Sequence, residues 1–483
     1  MTPTDTAAIT ARERLRDVLD DRMAVHRAAL ETLVRIPSVS AEGFDPVEVR
    51  RSAEAVRDLL ESRGLRNARV LEVAADGPGD VAHPAVYADW LDAGPDAPTV
   101  LLYAHHDVQP PGADEGWSSP PFTPTERDGR LYGRGAADDK AGVIVHVAAV
   151  DAWLEAQGRL PVNVKVIIEG EEEIGSAHLG ALLDGYADLL RADVIVITDS
   201  ANWKIGTPSL TYLLRGLADC DVEVRGLDHS LHSGMYGGPV PDPLTGMVKL
   251  LAGLTDDTGA VAVPGLADDV RSVTEAERAR LDALGFDEAA FRAEAGLLDG
   301  VVLGGDQEVH PLERLWMRPN LTIIGLDAPA VATSSNTLVA SARARVSLRL
   351  APGQDPVRAR DLLCGHLESA APWGLHVQVT PGAAVGAFVA DPRGPAFEAA
   401  LRALGDAYGQ PAVLMGVGGS IPFIEPFAQA FAGPDGSPAP ALLTGVEDPD
   451  TRAHGTDESL HLGDWRNACL AEAYLLAELA DSL

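Results

Sequence analysis

The sequence predicts an α/β fold in which a domain with a mainly parallel sheet is interrupted by a smaller, ferredoxin-like α+β domain. First, Val- and Ile-rich runs alternate with helical segments over 99–199, which is typical of a parallel sheet covered by helices on both faces. Second, later segments alternate apolar and polar residues with a period of two, which indicates a sheet with one solvated face. Third, the parallel pattern then resumes. We therefore expect 1–206 and 386–483 to form one domain and 207–385 to form the other.

Composition excludes several classes of partner. The 483 residues are 46% hydrophobic, which is enough to bury a large core, and 38 Lys and Arg against 72 Asp and Glu leave a net charge of −34. This charge argues against binding to nucleic acid or to an anionic membrane. The three cysteines lie far apart without CxxC spacing, and no apolar run approaches the roughly 18 residues of a membrane span. We expect a cytoplasmic protein without a signal peptide.

The predicted elements of the first domain bring polar groups to one edge of the sheet. After an amphipathic N-terminal helix, "TVLLYAHHD" predicts a strand and "AGVIVHVAAVDAWLEAQG" a helix. "VNVKVIIEGEEE" and "ADVIVITDS" predict two further strands. Each strand ends in acidic or imidazole side chains, and the carboxyl ends of parallel strands are where ligands bind in open α/β sheets.

The interrupting domain has a β-α-β-β-α-β order, the ferredoxin-like arrangement. "PSLTYLLRGLADCDVEVRG" predicts one strand, and "DPLTGMVKLLAGL" predicts a helix with Asp242 as N-cap and Pro243 at its first position. The remaining elements are the strands "NLTIIG", "SARARVSLRL" and "HVQVT" and a helix over 355–369. Afterwards we expect a helix near Gly394, an apolar segment "ALLTGV" and a closing helix from about Ser459 to Leu483.

The pair His105-x-Asp107 is the first candidate for chemistry. Residues two apart on a strand point to the same side, so the imidazole can bind a metal while the carboxylate orients its other nitrogen. His106 faces the opposite side and is a weaker candidate. By itself, a histidine at a strand end is more often a hydrogen-bonded loop residue.

Further carboxylates follow in two clusters. "LYGRGAADDKAG" presents Asp138 and Asp139 at a helix start, where an N-cap is the alternative interpretation. This turn lacks the spacing of a phosphate-binding loop. "IIEGEEEIGS" places Glu171 to Glu173 beside a buried strand, where carboxylates repel one another unless a cation lies among them. A solvated acidic loop is the alternative.

Two later residues complete the candidate set. Asp199 ends the next strand, and His454 lies in "RAHGTDESL", where Asp457 or Glu458 is a candidate support for its ring. Histidines and carboxylates without a thiolate suit catalytic zinc, with manganese or cobalt as alternatives. Two divalent ions are balanced by three of the carboxylates and one bridging hydroxide. The sequence lacks both G-x-S-x-G and H-E-x-x-H, which argues against a serine hydrolase and a single-zinc protease of that type.

The order of these motifs resembles the dinuclear zinc metallopeptidase family that includes carnosinases, acetylornithine deacetylase, succinyl-diaminopimelate desuccinylase and carboxypeptidase G. The resemblance extends over nearly the whole chain. It implies His105 and Asp199 on one zinc, Glu173 and His454 on the other, and Asp138 bridging both. It also implies that Asp107 orients His105, that Glu172 is the general base, and that the Asp138–Asp139 peptide is cis.

Within that family the chain is most similar to the carnosinase-like dipeptidases. The resemblance implies that the interrupting domain is a lid that also forms a homodimer, and that His232 in "SLHSGMYGG" reaches the partner subunit's site. It implies four further substrate-binding residues: Asn336, Arg349, Gly419 and Ser420. Two departures from the family pattern, Ala104 and Ser230, leave every ligand in place.

These observations predict a metal-dependent dipeptidase for short peptides with a free C-terminal carboxylate, in which a hydroxide shared by two zinc ions attacks the amide. An N-acyl amino acid deacylase or a carboxypeptidase of the same family has the same ligands and stays an alternative. A non-catalytic peptide- or metal-binding relative is a further alternative, although neither Glu172 nor any ligand is missing.

Overall fold

The chain divides into two compact units. The computed structural model describes residues 3–73, 75, 81–419, 421, 424–433 and 436–483. Unit 1 comprises Met1–Tyr212, Ala390–Met415 and Pro422–Leu483, and unit 2 comprises Leu213–Val389 and Gly416–Ile421. The short segment Gly416–Ile421 therefore belongs to unit 2, whereas the sequence placed it in the last part of the first domain.

The helices and strands follow in chain order. Up to Leu214 they are α1 (Pro3–Val34), α2 (Pro46–Ser62), β1 (Arg66–Leu71), β2 (Ala85–Trp90), β3 (Thr99–His105), β4 (Thr125–Arg127), β5 (Arg130–Tyr132), α3 (Lys140–Gln157), β6 (Asn163–Glu169), α4 (Leu179–Leu190), β7 (Val194–Ile197) and β8 (Ser209–Leu214). From Gly216 to Val389 they are β9 (Gly216–Arg225), β10 (Leu231–His232), α5 (Ser233–Tyr236), α6 (Pro243–Ala252), α7 (Glu275–Ala283), α8 (Glu288–Glu294), α9 (Pro311–Trp316), β11 (Asn320–Asp327), β12 (Thr337–Leu338), β13 (Ser341–Leu350), α10 (Pro356–Ser369), β14 (His376–Val385) and β15 (Phe388–Val389). The last are α11 (Pro395–Tyr408), β16 (Val413–Val417), α12 (Ile424–Ala430), β17 (Ala441–Leu443), β18 (Ser459–His461) and α13 (Leu462–Ser482).

The main sheet of unit 1 has the strand order β1-β2-β6-β3-β7-β17-β8. Its central strands β6, β3, β7 and β17 run parallel, while β1, β2 and β8 join antiparallel at the two sides. The predicted mainly parallel sheet is thus confirmed. The parallel register aligns the carboxyl ends of β3 and β6, so that His105 lies opposite Glu169.

Alternating residues of these strands form the core of unit 1. Val100, Leu102 and Ala104 of β3 pack into one buried cluster with apolar residues of α1, α3, α11 and α13. The intervening residues Leu101 and Tyr103 are also buried, because successive side chains point to opposite faces of the sheet. A strand buried on both faces explains why the sequence "TVLLYAH" is continuously apolar until His105.

Unit 2 contains an antiparallel sheet in the order β11-β13-β9-β14. α6 follows β9 and α10 follows β13, and apolar residues of both helices pack against this sheet in a second core. This is the ferredoxin-like order that the sequence predicted. Asp242 caps α6 by accepting a hydrogen bond from Thr245 N, with Pro243 at the first position, as expected.

Several local predictions were wrong. "PSLTYLLRGLADCDVEVRG" forms two strands, β8 and β9, which belong to different sheets. The two strands are separated by Arg215. Its backbone N–H does not pair with a strand of either sheet but donates to Gly419 O. At the next position a Cβ on Gly216 would lie 2.7 Å from Val385 O, so the backbones approach too closely there for a side chain.

Other differences are smaller. The predicted wet face of β13 is only partly solvated, because Ser347 is buried and Arg349 is half-buried. The closing helix begins at Leu462 rather than near Ser459, since Ser459–His461 pairs with β5 as β18. The sequence assigned no element to 255–319, where the structure has the short helices α7, α8 and α9.

Candidate metal centre

His105 ends β3 and is completely buried at the centre of the candidate site. Its Nδ1 lies 3.1 Å from Asp107 O and 3.3 Å from Asp107 Oδ1. Asp107 is itself held by hydrogen bonds from Ser40 Oγ at 2.7 Å and Glu173 N at 3.1 Å. A proton on Nδ1 that is shared with Asp107 leaves the Nε2 lone pair free to bind a metal.

Asp138 lies between two histidines. Its Oδ1 is 3.1 Å from His105 Nε2, and its Oδ2 is 3.1 Å from His454 Nε2. The peptide bond between Asp138 and Asp139 is cis, as the resemblance implied. Burial by itself would raise the pKa of Asp138, but the hydrogen bonds to His105 and His454 outweigh burial and hold that pKa below its ordinary value. One carboxylate thus presents each of its oxygens to a different imidazole.

Three more carboxylates surround these residues. Glu172 and Glu173 lie in a short 3-10 turn just after β6, and Asp199 follows β7. His105, Glu172 and Asp199 each offer a ligand atom within 4.8 Å of the others, and so do His105, Asp138 and Glu173. His454 Nε2 lies 3.2 Å from Glu173 Oε2. Two overlapping groups of ligand atoms therefore share His105.

The electrostatics of this cluster fit divalent cations. Burial, together with the neighbouring Asp138, raises the pKa of Glu173 to about 7. Burial also raises the pKa of Asp199 to about 6, and burial together with Asp199 raises that of Glu172 well above its ordinary value. Several carboxylates in one buried site repel one another, and metal ions relieve this repulsion. The donor set of imidazole and carboxylate, without thiolate, suits catalytic zinc.

A buried network supports residues 133–139, the turn before α3 that we call the Asp138 loop. The sequence did not identify this network. Glu458 accepts hydrogen bonds from Arg134 Nη1 at 2.6 Å and from the backbone N–H groups of Gly135, Ala137 and Asp138 at 3.0 to 3.2 Å. The prediction that Asp457 or Glu458 supports the His454 ring is therefore wrong for Glu458, and it is also wrong for Asp457. Asp457 instead accepts hydrogen bonds from Ser118 N and Oγ.

Two further charged residues near the site were also missed. Lys140 is fully buried, and its Nζ donates to Leu33 O and Ile36 O, which ties the start of α3 to the last turn of α1 and the segment after it. Glu447 interacts electrostatically with Asp138 and Asp199, and its pKa is raised well above the ordinary value, chiefly by burial. Glu447 follows the apolar segment "ALLTGV", and a carboxylate directly after such a segment is the signal that could have identified it. His106, the weaker candidate, turns away from the cluster, and its Nε2 lies 3.1 Å from Pro84 O.

The remaining candidate residues belong to unit 2. His232 lies on β10 beside Thr337 of β12, and the neighbouring Asn336 O accepts a hydrogen bond from Ser233 N at 2.9 Å. Arg349 lies on β13, and its pKa is lowered by burial. Burial, and then repulsion by the like charge of Arg349, lowers the pKa of Arg215 to about 10. The backbone N–H of Arg215 donates to Gly419 O at 3.1 Å. Ser420 lies outside the described residues.

Comparisons with known proteins agree on one family. Residues 101–478 match the family described as Peptidase family M20/M25/M40. A cysteinylglycine-S-conjugate dipeptidase of Corynebacterium striatum is 36% identical over 383 residues, which cover 79% of this chain and 81% of the relative. The Beta-Ala-His dipeptidase of Homo sapiens is 33% identical over 350 residues, covering 70% of this chain and 68% of the relative.

Solved structures match over nearly the whole chain. The dipeptidase Dug1p from Saccharomyces cerevisiae superimposes with a TM-score of 0.87 at 25% identity, covering 98% of this chain and 99% of the other. Human carnosine dipeptidase 1 gives a TM-score of 0.85 at 28% identity, covering 97% and 99%. Among the described residues, none of the helices combines the length and the apolar character that crossing a membrane requires. The fold, the cluster of ligand atoms and the family match together identify this chain as a metallopeptidase of peptidase family M20.

Proposed function

We propose that this metallopeptidase is a dipeptidase that cleaves the amide bond of short peptides with a free C-terminal carboxylate. The observation that carries this proposal is Asp138, whose two oxygens each lie 3.1 Å from a different histidine, in the manner of a carboxylate that bridges two ions. The relatives named as Cys-Gly and Beta-Ala-His dipeptidases support the choice of a dipeptide substrate.

The proposed ligands form two sets that share Asp138. His105 and Asp199 would hold one ion, and Glu173 and His454 the other. Zinc suits this donor set, with manganese or cobalt as alternatives. Two bound divalent ions would acidify a shared water toward a pKa of about 7 and polarise the scissile carbonyl.

Glu172 is the proposed general base. Its carboxylate lies 4.0 Å from His105 Nε2, and its side chain is 14% exposed, so it reaches both the cluster and solvent. It accepts a proton from the attacking water and delivers that proton to the departing amine. Asp107 keeps the His105 ring in the required orientation throughout.

Unit 2 supplies the proposed substrate contacts. Arg349 would pair with the terminal carboxylate of the substrate, assisted by Asn336, Gly419 and Ser420. The half-burial of Arg349 supports this role, because a guanidinium in a poorly solvated position gains more from a carboxylate than an exposed one does. His232, exposed on β10, would stabilise the developing oxyanion in the partner subunit of a homodimer.

Two features support the cellular and oligomeric parts of the proposal. β11 lies at the edge of its sheet and exposes Ile323, Ile324 and Leu326, a surface suited to a second copy of the chain. The three cysteines are buried free thiols, which is typical of a reducing compartment such as the cytoplasm.

Metal analysis followed by a substrate panel tests the function. The purified protein is stripped with a chelator, reloaded with zinc, manganese or cobalt, and assayed with Cys-Gly, β-Ala-His, N-acetyl amino acids and longer peptides. We expect dipeptides with a free carboxylate to be cleaved fastest and their C-terminal amides to be poor substrates. Preferential hydrolysis of N-acetyl amino acids would favour a deacylase, and release of single residues from longer peptides would favour a carboxypeptidase. No hydrolysis with any metal would favour a binding protein.

A further inference from the structure

Unit 2 contains a cavity of about 540 Å³ whose described lining residues include none of the proposed metal ligands or substrate-binding residues. It is bounded by residues within 259–270, by Phe286 and Phe291 of α8 and the turn before it, and by residues within 303–321, together with Arg215. Most of these segments fall in 255–319, the part of the chain where the sequence predicted no element. The volume lies within the range of pockets that hold small molecules, about 300 to 1,000 Å³.

One part of the cavity wall is apolar. Phe286 and Phe291 line it with their ring centroids 5.4 Å apart, and Leu303 and Val309 lie beside them. All four side chains are only half-buried, although each is large and hydrophobic. A ligand that covered them would remove apolar surface from water and gain the corresponding free energy.

Another part of the wall is cationic. Arg215, Arg314 and Arg318 line the cavity against a single acidic lining residue, Asp306. The charge of Arg318 is neutralised by Glu313, which accepts two of its hydrogen bonds at 3.0 and 2.6 Å.

Arg314 differs from Arg318. Its Nη1 donates to Gly304 O at 2.7 Å, but within the described part of the chain it forms no ion pair with a carboxylate. In a chain with a net charge of −34, a guanidinium without a carboxylate partner, in a cavity that also has an aromatic wall, favours an anion with an apolar body.

We propose that this cavity binds a small carboxylate with an apolar or aromatic body, whose carboxylate pairs with Arg314 and whose body covers Phe286 and Phe291. A guanidinium recognises a carboxylate through charge-assisted hydrogen bonds, and the aromatic wall excludes ligands that are polar throughout. A bare phosphate would satisfy the cation but would leave the apolar wall in water. The proposal does not depend on the dipeptidase reaction, since the cavity and the metal ligands belong to different units.

Calorimetry with 3-phenylpropionate tests this site on the full chain. The protein is first stripped of metal with a chelator, so that the probe cannot bind through a metal ion. We expect one probe molecule per chain, and we expect the uncharged analogue 3-phenylpropanamide to bind at least about tenfold more weakly. Arg314→Met should weaken binding of the acid by about ten- to a hundredfold while leaving binding of the amide unchanged. Arg343→Met is the matched control, because Arg343 is 57% exposed on β13 and does not line the cavity.

A second variant keeps the guanidinium of Arg314 and fills the cavity. Ala260→Phe places a ring at the cavity wall, and it should abolish binding of both acid and amide. Dipeptide hydrolysis should be unchanged in Arg314→Met, so a failure of the cavity proposal is distinguishable from a failure of the proposed function. Absence of binding, equal affinity for acid and amide, or binding unaffected by both variants would overturn the proposal. Should both variants fail to fold, a crystal structure of the wild-type protein with the acid decides: density beside Phe291 supports the site, and density elsewhere refutes it.

Discussion

Glu172 and Glu173 are adjacent in the sequence, yet the structure gives their carboxylates different surroundings. Glu173 accepts a hydrogen bond from Gln109 N at 3.1 Å and lies 3.2 Å from His454 Nε2. Glu172 lies farther from an imidazole, with one carboxylate oxygen 4.0 Å from His105 Nε2. A side chain that binds a metal ion must be held in place, whereas a general base must be able to reach a water molecule and a leaving group. The two neighbouring carboxylates therefore suit different roles.

Replacing Glu172 by Gln tests the role of the base. The amide keeps the size of the side chain but cannot accept the proton, so kcat should fall by about 10² to 10⁴-fold while metal content stays that of the wild type. Metal analysis and steady-state kinetics on the same preparation provide both measurements. Glu155→Gln serves as the control, because Glu155 is 53% exposed on α3 and should leave kcat unchanged. Unchanged turnover in Glu172→Gln would remove this residue from the reaction.

Metal binding should be coupled to proton release at these residues. In the metal-free protein, hydrogen bonds to Asp138 and Glu173 raise the pKa of His454 to about 11, and burial raises that of Glu173 to about 7. Because a metal binds the deprotonated forms of both groups, its apparent affinity should rise with pH, steeply below about pH 7, where both are protonated, and less steeply up to about pH 11, where only His454 still is. Calorimetry in two buffers of different ionisation enthalpy measures the number of protons released. Zinc binding without proton release, at an affinity independent of pH, would contradict this expectation.

At the scale of elements, the Asp138 loop and the start of α3 fit closely against the carboxyl end of the sheet. Gly142 in the first turn of α3 faces Asp139 and Thr198, and a Cβ there would collide with Asp139 Oδ1 and lie 2.5 Å from Thr198 Oγ1. The glycine in "DDKAG" is therefore required by a close approach rather than by its backbone angles.

Gly142→Ala should destabilise the protein by about 1 to 3 kcal/mol, the usual cost of overpacking a buried position, and should weaken metal binding by displacing the loop. Denaturant unfolding and a zinc titration measure the two effects. Gly185→Ala on α4 is the matched control, since a Cβ there meets nothing within 4 Å and alanine is the better helix former. Equal stability of the two variants would mean that α3 shifts without strain.

The pair Arg134 and Glu458 should stabilise the same loop. Both side chains are at most 1% exposed, and Glu458 also holds three backbone N–H groups of 135–138. Breaking a buried ion pair leaves the other charge uncompensated, so Arg134→Met should lower the free energy of unfolding by about 3 to 5 kcal/mol. The double variant Arg134→Met with Glu458→Gln should be less destabilised than the sum of the two single variants, as a double-mutant cycle of unfolding measures. Strict additivity would argue against a direct interaction.

The elements show which features the sequence could predict. β3, β6 and β7 were predictable because they are buried on both faces, and their apolar runs end where the polar side chains of the site begin. Glu458 as the support of the loop could not be predicted, because its contacts join 134–138 to a residue more than 300 positions away. The helices α7 to α9 were missed because they are short, and a few turns do not establish a helical period.

At the scale of the whole molecule, the exposed edge of unit 2 bears on assembly. β11 carries Ile324 at 58% exposure and Leu326 at 47%, and long apolar edge strands favour pairing with another chain. Ile324→Lys should convert the proposed dimer to a monomer in light scattering, without loss of zinc binding. Val248→Lys is the control, because Val248 is similarly exposed on α6, away from the edge strand. A protein that is monomeric before substitution would remove the basis for a site shared between subunits.

Whether the two subunits share each active site is testable by mixing inactive variants. His232→Ala removes the proposed oxyanion donor, and Glu172→Gln removes the base, so each homodimer should be nearly inactive while binding zinc normally. In a hybrid dimer, the subunit with His232→Ala keeps its own Glu172 and receives His232 from the partner, which restores one of the two sites. Random mixing in equal amounts makes half of the dimers hybrid, so activity should recover to roughly a quarter of the wild-type value. Mixing in the presence of Ile324→Lys in both variants should abolish the recovery. A hybrid that forms but stays inactive would show that His232 acts within its own subunit or does not act at all.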